Sequence, residues 1–285
     1  MKAPLTVIFP VKNEEDNLPA ALASVDWADE LVVVDSHSTD RTPELAEEAG
    51  ASVVQFEYSG IGPKKKAWAL ESLEVRNQWA LLLDGDERVT PELRAEIEDV
   101  IARGDHVGYY LDREFVFMGR SLRCFRPNWN MRLFRWGRGR IEDLGLSDLP
   151  STGDNEIHEH VVVDGPTGFL RNPLLHDDYR GISAWVDRHN KYSTWEAHLY
   201  RSFREQPVGV GPFGFLRLNA FDRKRALRRV WVRLPLRPPL RFLIWYVLRR
   251  GFLDGRQGFA FCSLMAYHEL LIGIKLRELR EHDRG

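Results

Sequence analysis

The chain has 285 residues, of which 44% are hydrophobic and 29% are charged. This apolar fraction supports one large domain or two modest ones and excludes a disordered or fibrous chain. The net charge of −2 hides an asymmetry, because residues 201–285 hold 18 of the 40 Lys and Arg residues but 7 of the 42 Asp and Glu residues, a local net charge of +11. We expect this basic segment to bind an anionic partner, either a membrane surface or nucleic acid.

Cysteine content and apolar runs predict where the chain resides. The two cysteines, Cys124 and Cys262, cannot form a disulfide framework, so we expect a reducing compartment. The first apolar run, Ala3–Val11, is short and contains two prolines, unlike a secretory signal. Charged residues interrupt the later apolar stretches Trp231–Leu248 and Gly258–Ile274, which fall short of the roughly 20 apolar residues of a membrane span. We therefore expect a cytoplasmic protein.

The first hundred residues alternate between strand and helix patterns. Strands are predicted at Thr6–Pro10, Leu31–Asp35, Ser52–Phe56 and Trp79–Leu83, and helices at Asn13–Val25, Pro43–Ala49, Pro63–Arg76 and Pro91–Ala102. Further strands are predicted at Tyr109–Met118, Met131–Trp136 and His160–Val163, and a further helix at Ile182–Phe203. Apolar strands separated by helices indicate an α/β fold, in which a parallel sheet is covered on both faces.

Polar residues follow the predicted strands at their carboxyl ends, where α/β proteins bind ligands. The sequence Asp84-Gly85-Asp86 follows one strand and Asp35 ends another. Two carboxylates on one turn can bind a divalent cation and a ribose hydroxyl, and Mg²⁺ and Mn²⁺ prefer oxygen ligands. An Asp-Gly pair also forms ordinary turns. Asp35 adds a third acid to this edge, however, and three acids repel one another unless a cation or hydrogen-bond donors offset them.

These motifs together resemble the inverting family-two glycosyltransferases with the GT-A fold. The segments that carry the resemblance are Val7–Leu18 (VIFPVKNEEDNL), Glu30–Thr42 (ELVVVDSHSTDRT), Gly62–Leu70 (GPKKKAWAL) and Trp79–Val89 (WALLLDGDERV). The resemblance implies a GT-A sheet, mostly parallel with helices on both faces, and a nucleotide-sugar donor, which we expect to be a UDP-sugar.

The resemblance also implies roles for individual residues. The residues expected to bind the donor are Pro10, Lys12, Glu14, Asp35, Lys66, Asp84, Gly85 and Arg132. Asp86 and His176 are expected to bind the metal, Mg²⁺ or Mn²⁺. Three of these residues also fit another role. Lys66 could be a solvated residue at a helix start, and Arg132 could lie on an exposed strand face. His176 could have a purely structural role.

The second half of the chain resembles one branch, the bacterial lipopolysaccharide core β-1,4-glucosyltransferases. The segments concerned are Asn130–Arg135, Glu156–Gly165, Leu174–Ile182 and Gly251–Phe259, and they match more loosely than the nucleotide motifs. This likeness implies that the acceptor is a lipid-linked or lipopolysaccharide core glycan.

Inverting transfer is a direct displacement that needs a general base on the acceptor hydroxyl. We assign this role to Glu159, although Glu159 also fits a surface acid in a polar loop. His158 could orient Glu159 or contact phosphate. Asp154, Glu156 and Asp164 are the next candidates. Sugar nucleotidyltransferases, haloacid-dehalogenase-type phosphatases and processive synthases lack support because their motifs are missing. A membrane-associated nucleotide-sugar-binding protein without transferase activity remains the alternative.

The charge asymmetry and the motifs suggest two domains. We expect a GT-A domain over residues 1–205, with a nucleotide-sugar half at 1–120 and an acceptor half at 121–205, and a basic helical region over 206–285. The arginines of that region alternate with Phe242, Trp245 and Tyr246, which suits the inner face of the cytoplasmic membrane. Because these arginines are spaced among large aliphatic residues, we expect no nucleic-acid partner. A helical subdomain with solvated arginines is the alternative.

Overall fold

The computed structural model of the chain describes residues 2–60, 63–142, 160–177, 180–206 and 220–282. Contacts divide the described residues into an N-terminal unit, which ends at Asp177, and a C-terminal unit, which begins at Arg180.

The N-terminal unit is built on one large sheet. The strands of this unit are β1 (Ala3–Val11), β2 (Ala28–Asp35), β3 (Ser52–Gln55), β4 (Trp79–Leu82), β5 (Glu87–Val89), β6 (Gly108–Phe117), β7 (Arg120–Ser121), β8 (Trp129–Arg135), β9 (Gly139–Ile141), β10 (Val161–Val163), β11 (Thr167–Phe169) and β12 (Leu174–Asp177). Its helices are α1 (Leu18–Ala23), α2 (Thr42–Glu48), α3 (Lys65–Ser72) and α4 (Pro91–Arg103), with a 3₁₀ turn at Arg123–Phe125.

The strand order confirms the predicted α/β class. The sheet runs β3-β2-β1-β4-β8-β6-β12-β5, with β7 and β11 also paired to β6, while β9 and β10 form a separate two-stranded antiparallel sheet. Strand β1 pairs in parallel with β2 and β4, and β2 pairs in parallel with β3. Strand β8 pairs with β4 in antiparallel orientation, so the sheet is mixed but mostly parallel. The carboxyl ends of β1, β2 and β4 therefore meet at one edge.

Helices cover both faces of this sheet, as the apolar strands predict. On one face, α1, α2 and α4 bury residues such as Leu22, Ala46 and Ile97 against the strands. On the other face, Ala69 of α3 and Val161 of the β9–β10 pair belong to one apolar cluster with the strands. Non-alternating strands such as β4 are buried on both sides for this reason.

Helix α1 is shorter than the sequence predicts, because residues 13–17 form a loop instead of a first turn. Asn13 has a positive φ of 53°. Its backbone N–H donates to Oγ of Ser38 at 2.8 Å, and the N–H of Glu14 donates to Oγ1 of Thr42 at 2.8 Å. These bonds to the residues preceding and beginning α2 replace helical hydrogen bonds and fix the loop beyond β1.

The C-terminal unit is helical. It contains α5 (Gly181–Glu205), α6 (Ala220–Trp231), α7 (Arg237–Leu243), a π-helical turn (Ile244–Leu248), a 3₁₀ turn (Gly251–Asp254) and α8 (Gly255–His282). The sequence placed the domain boundary at residue 205, whereas α5 packs with the C-terminal helices. Lys275 of α8 donates to the backbone O of Asn190 and to Oγ of Ser193 at 2.9 Å, and Ala197 shares an apolar cluster with Ile272.

A buried carboxylate ties the C-terminal helices together. Glu269 is 1% exposed and accepts from Nη2 of Arg241 at 2.8 Å and from Nε1 of Trp231 at 3.2 Å. Nε of Arg237 lies 3.1 Å from its other oxygen. Two arginines therefore offset one buried charge, as a buried carboxylate requires.

Two glycines let the chain reverse between α7 and α8. A Cβ at residue 258 would lie 2.1 Å from the carbonyl O of Gly251, and a Cβ at residue 251 would lie 2.8 Å from Sγ of Cys262. Only glycine allows backbones to approach this closely. Residues 248–256 thus form the tip of a tight helical hairpin, which we call the hairpin tip.

One stretch, Gly251–Glu281, is long and apolar enough to cross a membrane by length and composition, with a mean hydropathy of 1.4 over its most apolar window. This differs from the sequence expectation that charged residues exclude a span. A core helix of a soluble unit has the same length and composition, and 33% of this window is buried within the structure. His268 and Glu269 lie in this helix and are themselves buried.

Candidate active site

The turn Asp84-Gly85-Asp86 follows β4 at the edge where the parallel strands end. The backbone N–H of Glu87 donates to the carbonyl of Asp84 at 3.0 Å, which closes the turn. A Cβ at residue 85 would lie 3.0 Å from Cγ of Glu14 and 3.3 Å from Cγ1 of Val11. Glycine therefore lets this turn lie against the end of β1, and it brings Glu14 beside the two aspartates.

Three basic side chains surround the carboxylate of Asp84. Nη2 of Arg132 donates to Oδ2 at 2.6 Å, Nζ of Lys66 donates to Oδ1 at 2.7 Å, and Nη2 of Arg113 lies 3.8 Å from Oδ2. Burial by itself raises the pKa of Asp84, but these three positive charges outweigh it and hold the pKa well below its usual range. Asp84 is therefore ionised across the physiological range.

Glu87 fixes the two arginines from the buried side. This carboxylate is 0% exposed, and its Oε1 lies 2.6 Å from Nε of Arg113 and accepts from Nη2 of Arg132 at 2.7 Å. Its Oε2 accepts from the backbone N–H of Asp84 at 3.0 Å. Burial lowers the pKa of Arg132, but Asp84 and Glu87 raise it overall. The arginine is therefore a permanent cation in a defined position.

Asp86 pairs with a histidine from a distant strand. Nε2 of His176 lies 3.1 Å from Oδ2 of Asp86. Strand β12 inserts between β5 and β6, so His176 is paired with Glu87 on one side and with Phe115 on the other. Burial raises the pKa of Asp86, but the charge of His176 and its hydrogen bond lower it below the usual value.

The β1 and β2 ends form the other part of this edge. Asp35 is 0% exposed, and its carboxylate accepts from the backbone N–H of Ser38 at 2.9 Å and from the hydroxyl of Ser38. Pro10 is buried opposite Val34, whereas Lys12 is exposed beyond the strand.

The lysines at the start of α3 have different roles. Nζ of Lys66 lies 2.7 Å from Oδ1 of Asp84, and its role in donor binding stays a prediction. Lys65 is 3% exposed and donates to the carbonyl of Val11 at 2.7 Å. This buried bond holds the start of α3 against the end of β1.

The donor set at Asp86 and His176 fits a divalent ion. In octahedral coordination at about 2.1 Å, two adjacent ligand atoms lie roughly 3.0 Å apart. The 3.1 Å between Nε2 of His176 and Oδ2 of Asp86 matches this spacing. The described residues contain no group of three His, Cys, Asp or Glu side chains that could hold a metal. A bound diphosphate and water could supply further ligands.

The predicted general base, Glu159, lies outside the described residues, as do His158, Asp154 and Glu156. Its role stays a prediction. Asp164 is described, and its side chain is 82% exposed and lies 3.6 Å from Nη2 of Arg140.

Sequence reasoning missed Arg113, Glu87 and Lys65. Arg113 belongs to a strand with alternating aromatic and charged residues, which identifies a strand but does not show which of its charges face the site. Glu87 follows Asp86 directly in the sequence, and this position beside two other carboxylates was the signal that could have identified it as a site residue. The assembled site places permanent cations beside an Asp–His pair, an arrangement that is chemically suited to an anionic ligand.

Comparison with known proteins identifies the family. The glycosyl transferase family 2 profile matches residues 6–153. A lipopolysaccharide core biosynthesis glycosyltransferase, LpsC of Rhizobium meliloti, is 31% identical over 76% of this chain and 81% of its own length. An uncharacterized glycosyltransferase of Rickettsia typhi is 29% identical over 99% of this chain and 89% of its own length.

Among solved structures, Staphylococcus aureus TarS 1–349 in complex with UDP-GlcNAc aligns with 94% of this chain and 92% of its own, at 17% identity and a TM-score of 0.43. The family match confirms the resemblance read from the motifs, and the sheet described above has the expected GT-A class. The chain belongs to glycosyl transferase family 2 and is a glycosyltransferase.

Proposed function

We propose that this glycosyltransferase transfers a hexose from a UDP-sugar to a lipid-linked or lipopolysaccharide core glycan, with inversion at the anomeric carbon. The observation that carries the proposal is the turn Asp84–Asp86, with two arginines, a lysine and a histidine around it. The relative LpsC, named for lipopolysaccharide core biosynthesis, supports this class of acceptor.

The donor would bind along the edge formed by β1, β2 and β4. Asp35 and Glu14 would contact the uridine, while Asp84 and the buried cations would face the diphosphate. Arg132 and Lys66 already lie within hydrogen-bond distance of one Asp84 carboxylate, so their positions are fixed before the donor binds. Such preorganised cations stabilise the negative charge that develops on the departing diphosphate.

Asp86 and His176 would hold Mg²⁺ or Mn²⁺ together with the donor diphosphate. When bound, the ion supplies Lewis-acid stabilisation of the leaving diphosphate. Glu159 would accept the proton of the acceptor hydroxyl as that oxygen attacks, and a single displacement inverts the configuration. This assignment rests on the sequence motif, since Glu159 lies outside the described residues.

A donor screen tests the proposal. The full chain is mixed with UDP-glucose, UDP-galactose, UDP-GlcNAc or GDP-mannose and with core oligosaccharide released from lipopolysaccharide, in Mn²⁺ or EDTA. We expect one UDP-sugar to raise the melting temperature in Mn²⁺ and to give a product whose anomeric configuration, read by NMR, is inverted. A retained configuration, full activity in EDTA, or transfer from GDP-mannose alone contradicts the corresponding part of the proposal.

We propose further that the C-terminal unit docks on the inner face of the cytoplasmic membrane through the hairpin tip. Leu248, Phe252 and Leu253 of the tip are 74%, 49% and 49% exposed. Arg250 and Arg256 are exposed in the same tip. Exposed apolar side chains flanked by arginines suit an anionic lipid surface, where the apolar groups enter the interface and the cations remain at the headgroups.

The side chains that the sequence suggested for insertion are packed within the unit. Trp245 is 9% exposed and lies edge-on against Phe261, and Phe242 stacks on Tyr246 with 5.0 Å between ring centroids. These aromatics support the hairpin from inside. The leucines and Phe252 at its tip are therefore the better candidates for lipid contact.

A further inference from the structure

Phe169 lies between two other aromatic side chains, Trp129 and Tyr110, at the surface of the N-terminal unit. The rings of Trp129 and Phe169 lie 5.0 Å apart at 77°, and those of Phe169 and Tyr110 lie 5.1 Å apart at 19°. Trp129 is 40% exposed and Phe169 is 58% exposed. Single exposed apolar residues are ordinary, whereas neighbouring exposed aromatic rings are a candidate binding surface. We call these three residues the aromatic platform.

The platform lies at the same edge of the sheet as the Asp84–Asp86 turn. Strand β8 pairs with β4 through Leu133 and Leu81, and continuing this register places Trp129 level with Gly85. Tyr110 lies on the next strand, β6, where it is paired with Met131 of β8. Trp129 is three residues from Arg132, so the platform begins about 10 Å along the strand from the cation that contacts Asp84.

A buried carboxylate holds the turn that presents Trp129. Asp112 is 5% exposed and accepts from the backbone N–H of Asn128 at 2.7 Å and from Nε of Arg126 at 2.8 Å. The backbone N–H of Arg113 donates to the carbonyl of Asn128 at 3.0 Å. Trp129 is thus displayed on a fixed turn, and a preorganised surface loses less conformational entropy when it binds a ligand.

The strand order shows which substrate this surface would bind. In the strand order, β1 lies next to β4 on one side, followed by β2, which ends at Asp35. Strands β8 and β6, which carry Trp129 and Tyr110, lie on the other side of β4. The nucleotide proposed above therefore occupies the edge away from the platform. A pyranose ring presents a face of C–H groups that packs on an aromatic ring while its hydroxyl groups remain at the rim. The acceptor glycan has this chemistry.

We propose that Trp129, Phe169 and Tyr110 form an acceptor subsite that binds a sugar ring of the glycan one or two residues away from the reacting hydroxyl. This inference rests on the proposed function, because it assigns the platform to the acceptor of that reaction. The platform sets acceptor affinity and does not take part in donor binding.

The test uses core oligosaccharide released from lipopolysaccharide, which carries no acyl chain. Trp129→Ala and Phe169→Ala should each raise the KM for this acceptor by about 5- to 10-fold, while the rate of donor hydrolysis without acceptor is unchanged. Trp129→Phe keeps an aromatic face and should restore most of the affinity. Met118→Ala removes an apolar side chain that is 67% exposed outside the platform and should leave the KM unchanged.

Direct binding separates this proposal from the transferase proposal. Saturation-transfer NMR with the same oligosaccharide should show contact with the wild-type chain that Trp129→Ala weakens, even if no donor in the screen is used. Equal oligosaccharide binding and equal acceptor KM in wild type, Trp129→Ala and Phe169→Ala would overturn the platform and leave the transferase intact. Loss of affinity only for the intact lipid-linked acceptor would instead identify the occupant as an acyl chain and would also overturn it.

Discussion

Nε2 of His176 lies 3.1 Å from Oδ2 of Asp86, although 90 residues separate them in the chain. The insertion of β12 between β5 and β6 creates this contact. This distance is close to that between two adjacent ligands around a divalent ion, and we propose that both residues hold the metal of this glycosyltransferase. Several measurements can test what this arrangement does.

Replacing Asp86 should remove metal-dependent catalysis. We expect Asp86→Ala to lower transfer by at least about 100-fold and to abolish the effect of Mn²⁺ on the melting temperature with donor, because half of the protein ligand pair is lost. Asp99→Ala is the matched control, since Asp99 forms only an exposed ion pair with Arg103. An active Asp86→Ala enzyme that still responds to Mn²⁺ would place the metal elsewhere.

Replacing Glu159 should remove the general base while keeping its shape. Glu159→Gln is expected to lower turnover by about 100-fold or more with little change in donor affinity, measured by calorimetry with the UDP-sugar. Asp164→Asn should be close to wild type, because this carboxylate is exposed and paired only loosely with Arg140. The reverse pattern would move the base from Glu159 to Asp164.

The hairpin tip should depend on Gly258. The Cβ of Gly258→Ala would lie 2.1 Å from a backbone carbonyl, and relieving this clash is expected to cost about 3 kcal/mol or more. Gly273→Ala in the same helix meets nothing closer than Nη2 of Arg237 at 3.5 Å and should stabilise the helix by about 0.5–1 kcal/mol. Urea unfolding followed by circular dichroism compares the two, and equal midpoints would contradict the close contact.

His189 should make the C-terminal unit sensitive to acid. Burial against the ring of Trp185 lowers its pKa from 6.5 to about 4, and His268 adds to the effect. The neutral ring is therefore favoured in the folded state, so its stabilisation is complete above pH 6.5 and is lost as the pH falls from 6.5 towards 4. The loss is up to about 3 kcal/mol.

The variant His189→Gln isolates this contribution. The difference in free energy of unfolding between wild type and variant should shrink across pH 6.5–4 and stay constant below pH 4. Parallel stability curves for the two proteins across this range would show that the pKa of His189 is not lowered.

Membrane docking should separate into an electrostatic and an apolar part. We expect co-sedimentation with anionic but not neutral vesicles, weaker at high salt, since the Debye length falls from about 10 Å at 0.1 M to about 3 Å at 1 M. The double variant Arg250→Glu/Arg256→Glu should remove the salt-sensitive part of the binding. The double variant Phe252→Ser/Leu253→Ser should remove the salt-resistant part. The paired Lys variants of both arginines keep the charge and should bind normally.

No binding to either kind of vesicle would contradict docking, and equal binding to neutral and anionic vesicles would contradict its electrostatic part. The arginines nearer α6 are poor probes. Arg233, for example, donates to the carbonyls of Arg204 and Arg229, so its reversal would also disturb the helical packing.

The sequence by itself determined the elements with strong local signals. Strands β1 to β4 follow from short apolar runs, and α4 follows from the helical spacing over Pro91–Ala102. The structure adds the cap, in which the hydroxyl of Thr90 accepts from the N–H of Leu93. The Asp84–Asp86 turn was recognisable because a buried strand ends in an Asp-Gly-Asp sequence. These features depend on residues within a few positions of one another, where side-chain periodicity and turn chemistry act directly.

The tertiary structure alone decided which distant groups meet. Pairing of β12 with β5 and β6 brings His176 to Asp86 and places Arg113 beside Glu87, and no local pattern encodes which strands become neighbours. Helix α5 joined the C-terminal unit because Lys275 and Ile272 of α8 offer it partners that lie far along the chain. The burial of Trp245 and the exposure of Leu248 likewise depend on how the hairpin packs, since periodicity shows that a face is apolar but not what covers it.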